Sequence, residues 1–246
     1  LTLLSRYAVA WAYLAGFVVA ELIYAALPSR DQAAALRWSS TNVVNLHHDP
    51  VGSLAASAFI PAAFAASWPL LIALALFGAN RALGNWRTAV VCAAGHVLGT
   101  LVSEGIVDYR VTHGALPASA TRILDVGPSY IVVAAIVVAA AFGSWPARVA
   151  ATADFALLVF VGDIFGGLSR LDVAAVGHLT AIMVAVLLGS LLAWQRRRSR
   201  RLPGDGLPRT RPAVAPARQS RPGSSGGPAA GPEGAGEEAG GPARLE

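Results

Sequence analysis

Asp125-Val126-Gly127-Pro128-Ser129-Tyr130 opens an apolar run that continues unbroken from Ile131 to Phe142. A Gly-Pro turn delivers a serine into the first turn of a helix, where proline is well placed because its missing N–H would be unpaired anyway. The start of a helix also carries partial positive charge and free N–H groups, which favour a developing anion. A hydroxyl at Ser129 is therefore either a nucleophile or a helix cap, and on these residues alone both readings stand.

The surroundings of this stretch are those of a membrane protein. The chain of 246 residues is 55% hydrophobic and 13% charged, against about 25% charged in an average soluble domain. Its mean hydropathy is +0.55. The single cysteine, Cys92, rules out an internal disulfide and any cysteine-based metal cluster. His47-His48-Asp49 has no spaced partner motif and reads as an interfacial loop. No metal and no cofactor are expected.

The charge is unevenly placed. Residues 1–194 carry nine Arg and nine acidic residues; residues 195–246 carry ten Arg and five acidic, which supplies the whole net charge of +5. The expected organisation is a neutral membrane domain over 1–194 and a disordered Arg/Pro/Gly-rich tail over 195–246, too poor in apolar residues to fold. Arg196 to Arg201 would meet anionic lipid headgroups. The basicity belongs to the tail, so nucleic acid is not an expected partner; membrane lipids are.

Six spans are expected. Tyr7–Leu27 has the roughly 20 residues a bilayer crossing needs, longer than the 7–15 of a signal-peptide core. Residues 28–50 read as a polar loop. Val51–Ala79 is too long for one crossing, so Pro61 and Pro69 mark breaks, with a re-entrant or interfacial part first and the span from about Ala62 to Ala79. Val90–Val107, Ser129–Phe142, about Val149 to Gly167 and about Asp172 to Trp194 complete the set. Short cytoplasmic loops carry the arginine excess. Six crossings put Arg6, Arg81/Arg87, Arg148 and Arg196-Arg197-Arg198 on one side, giving a multi-pass protein of the cell membrane with both termini cytoplasmic. Gly95-x3-Gly99 and Gly162-x3-Gly166 are expected to pack helices closely within the bundle.

Ionisable residues inside spans are costly and point to function by default. Here they are Glu21, His96, Glu104, Asp163 and His178, while Asp154, near a span end, is expected to reach water. At about 1.5 Å per residue, Ser129 lies roughly 6 Å and His178 roughly 9 Å in from the outer face. A histidine beside a serine takes the hydroxyl proton and returns it to the leaving group, and Asp163 is placed to orient His178. A capping serine and a structurally bonded histidine would read identically.

These residues resemble the rhomboid family of intramembrane serine proteases, which have a six-helix core, a Gly-x-Ser-Gly motif opening helix four and a Gly/Ala-His motif in helix six. Gly127-Pro128-Ser129 matches the first, Gly177-His178 the second, and Ala181 and Ala185 are small where the family has glycine. Phe77-Gly78 and Arg81-Ala82-Leu83-Gly84-Asn85-Trp86-Arg87 resemble the end of the family's helix two and its following turn. The similarity covers roughly residues 7–194. It implies an all-α membrane protein with a six-transmembrane-helix rhomboid-like bundle. Ser129 would be the nucleophile and His178 the general base, with Gly127, Asp163 and His96 as supporting residues, and the partners would be transmembrane segments of other membrane proteins.

Three departures stand out. Tyr130 replaces the motif's second glycine, Pro128 precedes the serine, and residues 61–79 lack the histidine and asparagine that hold the oxyanion in the family. One such donor is worth about 10²–10³ in rate. His47, His48 and Asn45 are the loop residues available to replace it. The alternative reading is a non-catalytic rhomboid-like protein that binds or escorts transmembrane helices; a transporter is more distant, since no internal repeat is visible.

Overall fold

α8, Ser129–Phe142, is the post around which the other helices stand. In the computed structural model, which describes residues 2–60 and 67–201, it touches α6 (Trp68–Leu83), α7 (Asn85–Thr112), α9 (Trp145–Phe160) and α10 (Val173–Arg201). Nine of its fourteen residues are buried. Outside this group lie α1 (Leu3–Arg6), α2 (Ala8–Ala26), α3 (Ser29–Ser39), α4 (Val43–His48) and α5 (Pro50–Ser57). The described part is all-α. Three helices, Ala8–Ala26, Asn85–Thr112 and Val173–Arg196, are long and apolar enough to cross a membrane, and Trp68–Leu83 and Ser129–Phe142 are shorter apolar helices.

Lipid tails are as apolar as leucine, so helices in a bilayer associate by close packing over small residues. That is how α8 is gripped. A Cβ on Gly95 would come within 2.8 Å of the Ala134 methyl, and one on Gly78 within 2.9 Å of the Ala139 methyl. Gly95-x3-Gly99 thus packs α7 on α8 and α10. Gly162 and Gly166, by contrast, fall in the connection after α9, where they serve turns and not a helix interface.

Local chemistry sets the breaks. Gly84, with φ +86°, lets α6 stop and α7 begin within one residue, a conformation L side chains rarely adopt. The Asn80 amide donates to the Arg6 carbonyl and the Asn85 amide to the Ser5 carbonyl, which pins the chain entering α2 against this joint.

Three expectations are corrected. Residues 28–50 are helical for most of their length. Asp31 and Arg37 sit in the first and last turns of α3, matching its dipole, while Asn42 caps α4 through the Asn45 N–H and Asp49 caps α5 through the Gly52 N–H. Asp154 does not reach water: it is 4% exposed and its Oδ2 has no partner among the described residues. The tail was expected to start at Gln195, but α10 continues to Arg201, with Arg196 donating to the Ala82 carbonyl at the end of α6. The remainder of the expected tail, 202–246, and the expected break at Pro61 lie outside the described residues.

Candidate functional site

The turn that presents Ser129 is fixed from two sides. Gly127 has φ +125°, in the region that favours glycine, and its N–H donates to the Ser57 carbonyl at 2.9 Å. Two residues earlier, the Asp125 N–H donates to Ser40 Oγ, and the Thr41 N–H donates to the Asp125 carbonyl. The polar segments before α6 therefore hold the start of α8 through backbone bonds. Pro128 forms the entry to the helix, its carbonyl accepting from the Val132 N–H, and Ser129 is the first helical residue. Among the described residues no side chain caps this helix, and Ser129 lies one residue past the cap position held by Pro128.

His178 is 5% exposed and held in one orientation. Its Nδ1 lies 3.0 Å from the Ile164 carbonyl. A carbonyl only accepts, so in the neutral ring Nδ1 carries the proton and Nε2 carries the lone pair. Among the described residues Nε2 is buried without a hydrogen-bond partner, although the Ala174 backbone also lies against the ring. The orienting group is thus the backbone of Ile164, while Asp163, next to it in the chain, is exposed at φ +46°. Among the described residues Ser129 and His178 share no hydrogen bond.

Tyr130 separates the two histidines of the bundle. Its ring stands edge-on to His178, centroids 5.0 Å apart and planes at 82°, and lies 6.2 Å from His96. Space for a ring where the family has glycine comes from the facing helices. A Cβ on Gly177 would sit 2.2 Å from the Tyr130 hydroxyl, and one on Gly99 would sit 3.3 Å from its ring. The hydroxyl lies 3.2 Å from Asp125 Oδ2 and 3.4 Å from the Val173 carbonyl. Asp125 and Val173 both line a cavity of about 520 Å³ whose walls also carry Arg110, Arg170 and Asp172.

Burial pushes the Asp125 carboxyl up to about 6, against hydrogen bonds from Thr41 and Tyr130 that pull it down. On α7, Glu104 is buried beside it, and both its oxygens lack a hydrogen-bond partner among the described residues; the Val43 N–H faces them outside bonding geometry. Sequence reasoning marked Glu104 as an intramembrane acid but not its pairing with Asp125, which depends on how α7 meets the α8 turn.

His96 has a different task from His178. Its Nε2 lies 2.9 Å from the Leu54 carbonyl and 3.2 Å from Ser57 Oγ, so Nε2 is the protonated nitrogen and the ring fastens α5 to α7. It cannot take a proton from Ser57. The loop residues proposed as oxyanion donors are elsewhere: the Asn45 amide serves the Arg37, Trp38 and Ser40 carbonyls, and His47 and His48 are exposed. Among the described residues no cluster of three His, Cys, Asp or Glu side chains is arranged to hold a metal.

The family model described as "Rhomboid-like protein" matches residues 5–197. No curated protein and no solved structure matches the chain.

Proposed function

The chain belongs to the rhomboid-like family, and on that footing we propose that this multi-pass membrane protein is an intramembrane serine peptidase. Its six spans are α2 and α6 to α10, with both termini on the cytoplasmic side of the cell membrane, and it cleaves transmembrane substrates near the outer face. Ser129 is the nucleophile and His178 the general base.

The observation that carries this reading is the hydrogen bonding of His178. With Nδ1–H bound to the Ile164 carbonyl, Nε2 is left as a buried acceptor without a partner among the described residues, the state a general base requires. In the reaction Ser129 Oγ attacks the scissile carbonyl as its proton passes to Nε2, and the Ile164 carbonyl steadies the cation that forms. The proton then goes to the leaving amine, and a water repeats the sequence to release the acyl group. The Ser129 N–H, in the uncapped first turn of α8, is the available backbone donor to the oxyanion. For the first step the Ser129 hydroxyl must turn toward Nε2, a contact that forms in many enzymes only with substrate bound.

One observation favours the second reading, a non-catalytic protein that captures transmembrane helices. From Trp68 to Ala79 α6 has no histidine or asparagine, and Asn80 is spent on the Arg6 carbonyl. A fluorophosphonate probe separates the two. The peptidase is labelled, and Ser129→Ala and His178→Ala each lower labelling by roughly 10³-fold or more. Absent labelling, or labelling indifferent to both substitutions, overturns the peptidase reading, whereas capture of a helix that survives Ser129→Ala supports the second.

A further inference from the structure

A second groove lies away from Ser129 and shares no lining residue with the cavity beside Asp125. It has a volume of about 680 Å³ and runs between the start of α2, the second half of α6 and the first turns of α9. Leu74, Phe77, Ala147 and Ala150 give it apolar walls, and Tyr7 and Arg81 stand at its end. Its size falls in the usual range for small-molecule sites, about 300–1,000 Å³.

We propose that this groove holds an acyl chain of an anionic glycerophospholipid, with the phosphate gripped by Arg81 and Arg6. Three features converge on the mouth. Arg81 lines it. Arg6 is carried over the ring of Tyr7, its guanidinium 5.5 Å from the ring centroid, so it stands beside the same wall. α9 begins there, with Ser144 and Pro146 in the lining and no side chain capping its first turn. Among the described residues that line the groove none is acidic, and the Arg170–Asp172 ion pair is on another connection. An apolar slot ending in Arg81 and the positive end of a helix, with Arg6 stacked on the Tyr7 ring that lines it, fits a molecule with a long apolar chain and a negative head. A guanidinium binds phosphate through paired N–H bonds, which an ammonium does not.

The lipid also explains the aromatic wall. Trp11 packs edge-on against Phe77, centroids 4.8 Å apart, and Tyr7 lies 5.6 Å from the same ring. The aromatic cluster closes the side of the slot toward α2, so an acyl chain lies against α6 and α9.

The test uses the full-length protein in vesicles of phosphatidylglycerol and phosphatidylcholine in equal parts, extracted gently and weighed by native mass spectrometry. Retained phosphatidylglycerol should exceed phosphatidylcholine by roughly 25-fold, about fivefold for each arginine at a lipid surface. Arg6→Gln and Arg81→Gln together should abolish the preference, and Ala147→Trp, which fills the slot, should remove the retained lipid. A second measurement needs no charge variant: phosphatidylglycerol brominated on its acyl chain should quench Trp11, read as wild type minus Trp11→Phe, more than the brominated phosphatidylcholine does. Equal retention of the two lipids, equal quenching, or a preference that persists in the double arginine variant overturns the proposal. So does occupation of the slot by a transmembrane helix with no lipid retained.

Discussion

The hydroxyl of Tyr130 occupies the space that a side chain on Gly177 would need: a Cβ there would lie 2.2 Å from it. Each residue is thus the condition for the other. Gly177→Ala should destabilise the bundle by about 1–3 kcal/mol, the usual cost of overpacking a filled interior. In a Tyr130→Ala background the same substitution should cost much less. Melting of the four proteins in one detergent gives the coupling, and additive effects would refute the fit.

Asp125 should make stability fall as pH rises. Burial lifts its carboxyl to about 6 from an ordinary value near 3.8, so the folded state holds the proton more tightly than the unfolded chain. The contribution is complete below about pH 4 and is lost as pH climbs through about 6. A rise of that size is worth on the order of 2–3 kcal/mol. The Asp125→Asn protein keeps an acceptor for Thr41 and Tyr130, and its melting temperature should decline less steeply over this range, the buried Glu104 beside it remaining in place. Parallel curves for the two proteins between pH 4 and 7 would count against it.

Gly127 is held at φ +125°. Gly127→Ala should cost about 1–3 kcal/mol through backbone strain, and because the strained turn delivers Ser129, probe labelling should fall further than the loss of folded protein accounts for. Labelling that tracks folded protein one to one would show that the turn does not position the serine.

His96 should act on α5 rather than on chemistry. His96→Leu removes the ring donor to the Leu54 carbonyl, which keeps only the Ser57 hydroxyl, at a cost of about 0.5–1.5 kcal/mol for the lost hydrogen bond. Hydrogen exchange should speed up in residues 50–57 before it does in α8. Unchanged exchange in α5 would remove this role.

Much of this was readable from run length and punctuation. Gly127-Pro128 and Gly143-Ser144 bracket α8 to the residue, because such turns interrupt an apolar run that otherwise has no reason to stop. The helices over 29–48 were hidden because they are short and lie in polar sequence, to which apolar run length is blind, and α5 was merged into the apolar run that starts at Val51. Their signatures were the caps Asn42 and Asp49, whose side chains accept from N–H groups three residues on. At the site, Ser129 and His178 were visible as residue types, but the group that orients His178 was not. Asp163 was the expected partner, and the Ile164 backbone holds the ring instead. Every residue has a carbonyl, so sequence cannot single one out. Tyr130 looked like an obstacle for a related reason: Gly99 and Gly177 stand on other helices, and only their convergence makes room.

The enclosure of α8 changes what variation the helix can bear. Ile131 to Ile136 are six consecutive buried residues, covering every direction around the axis, whereas α7 alternates buried Cys92, Gly95 and Gly99 with exposed Val90, Leu98 and Leu101. In a saturation scan read by folded yield, α7 and α10 should show a stripe of tolerance every three to four residues. The first two turns of α8 should show none: they have no back on which neutral mutations can accumulate, so their sequence drifts only when the helices around them drift in step.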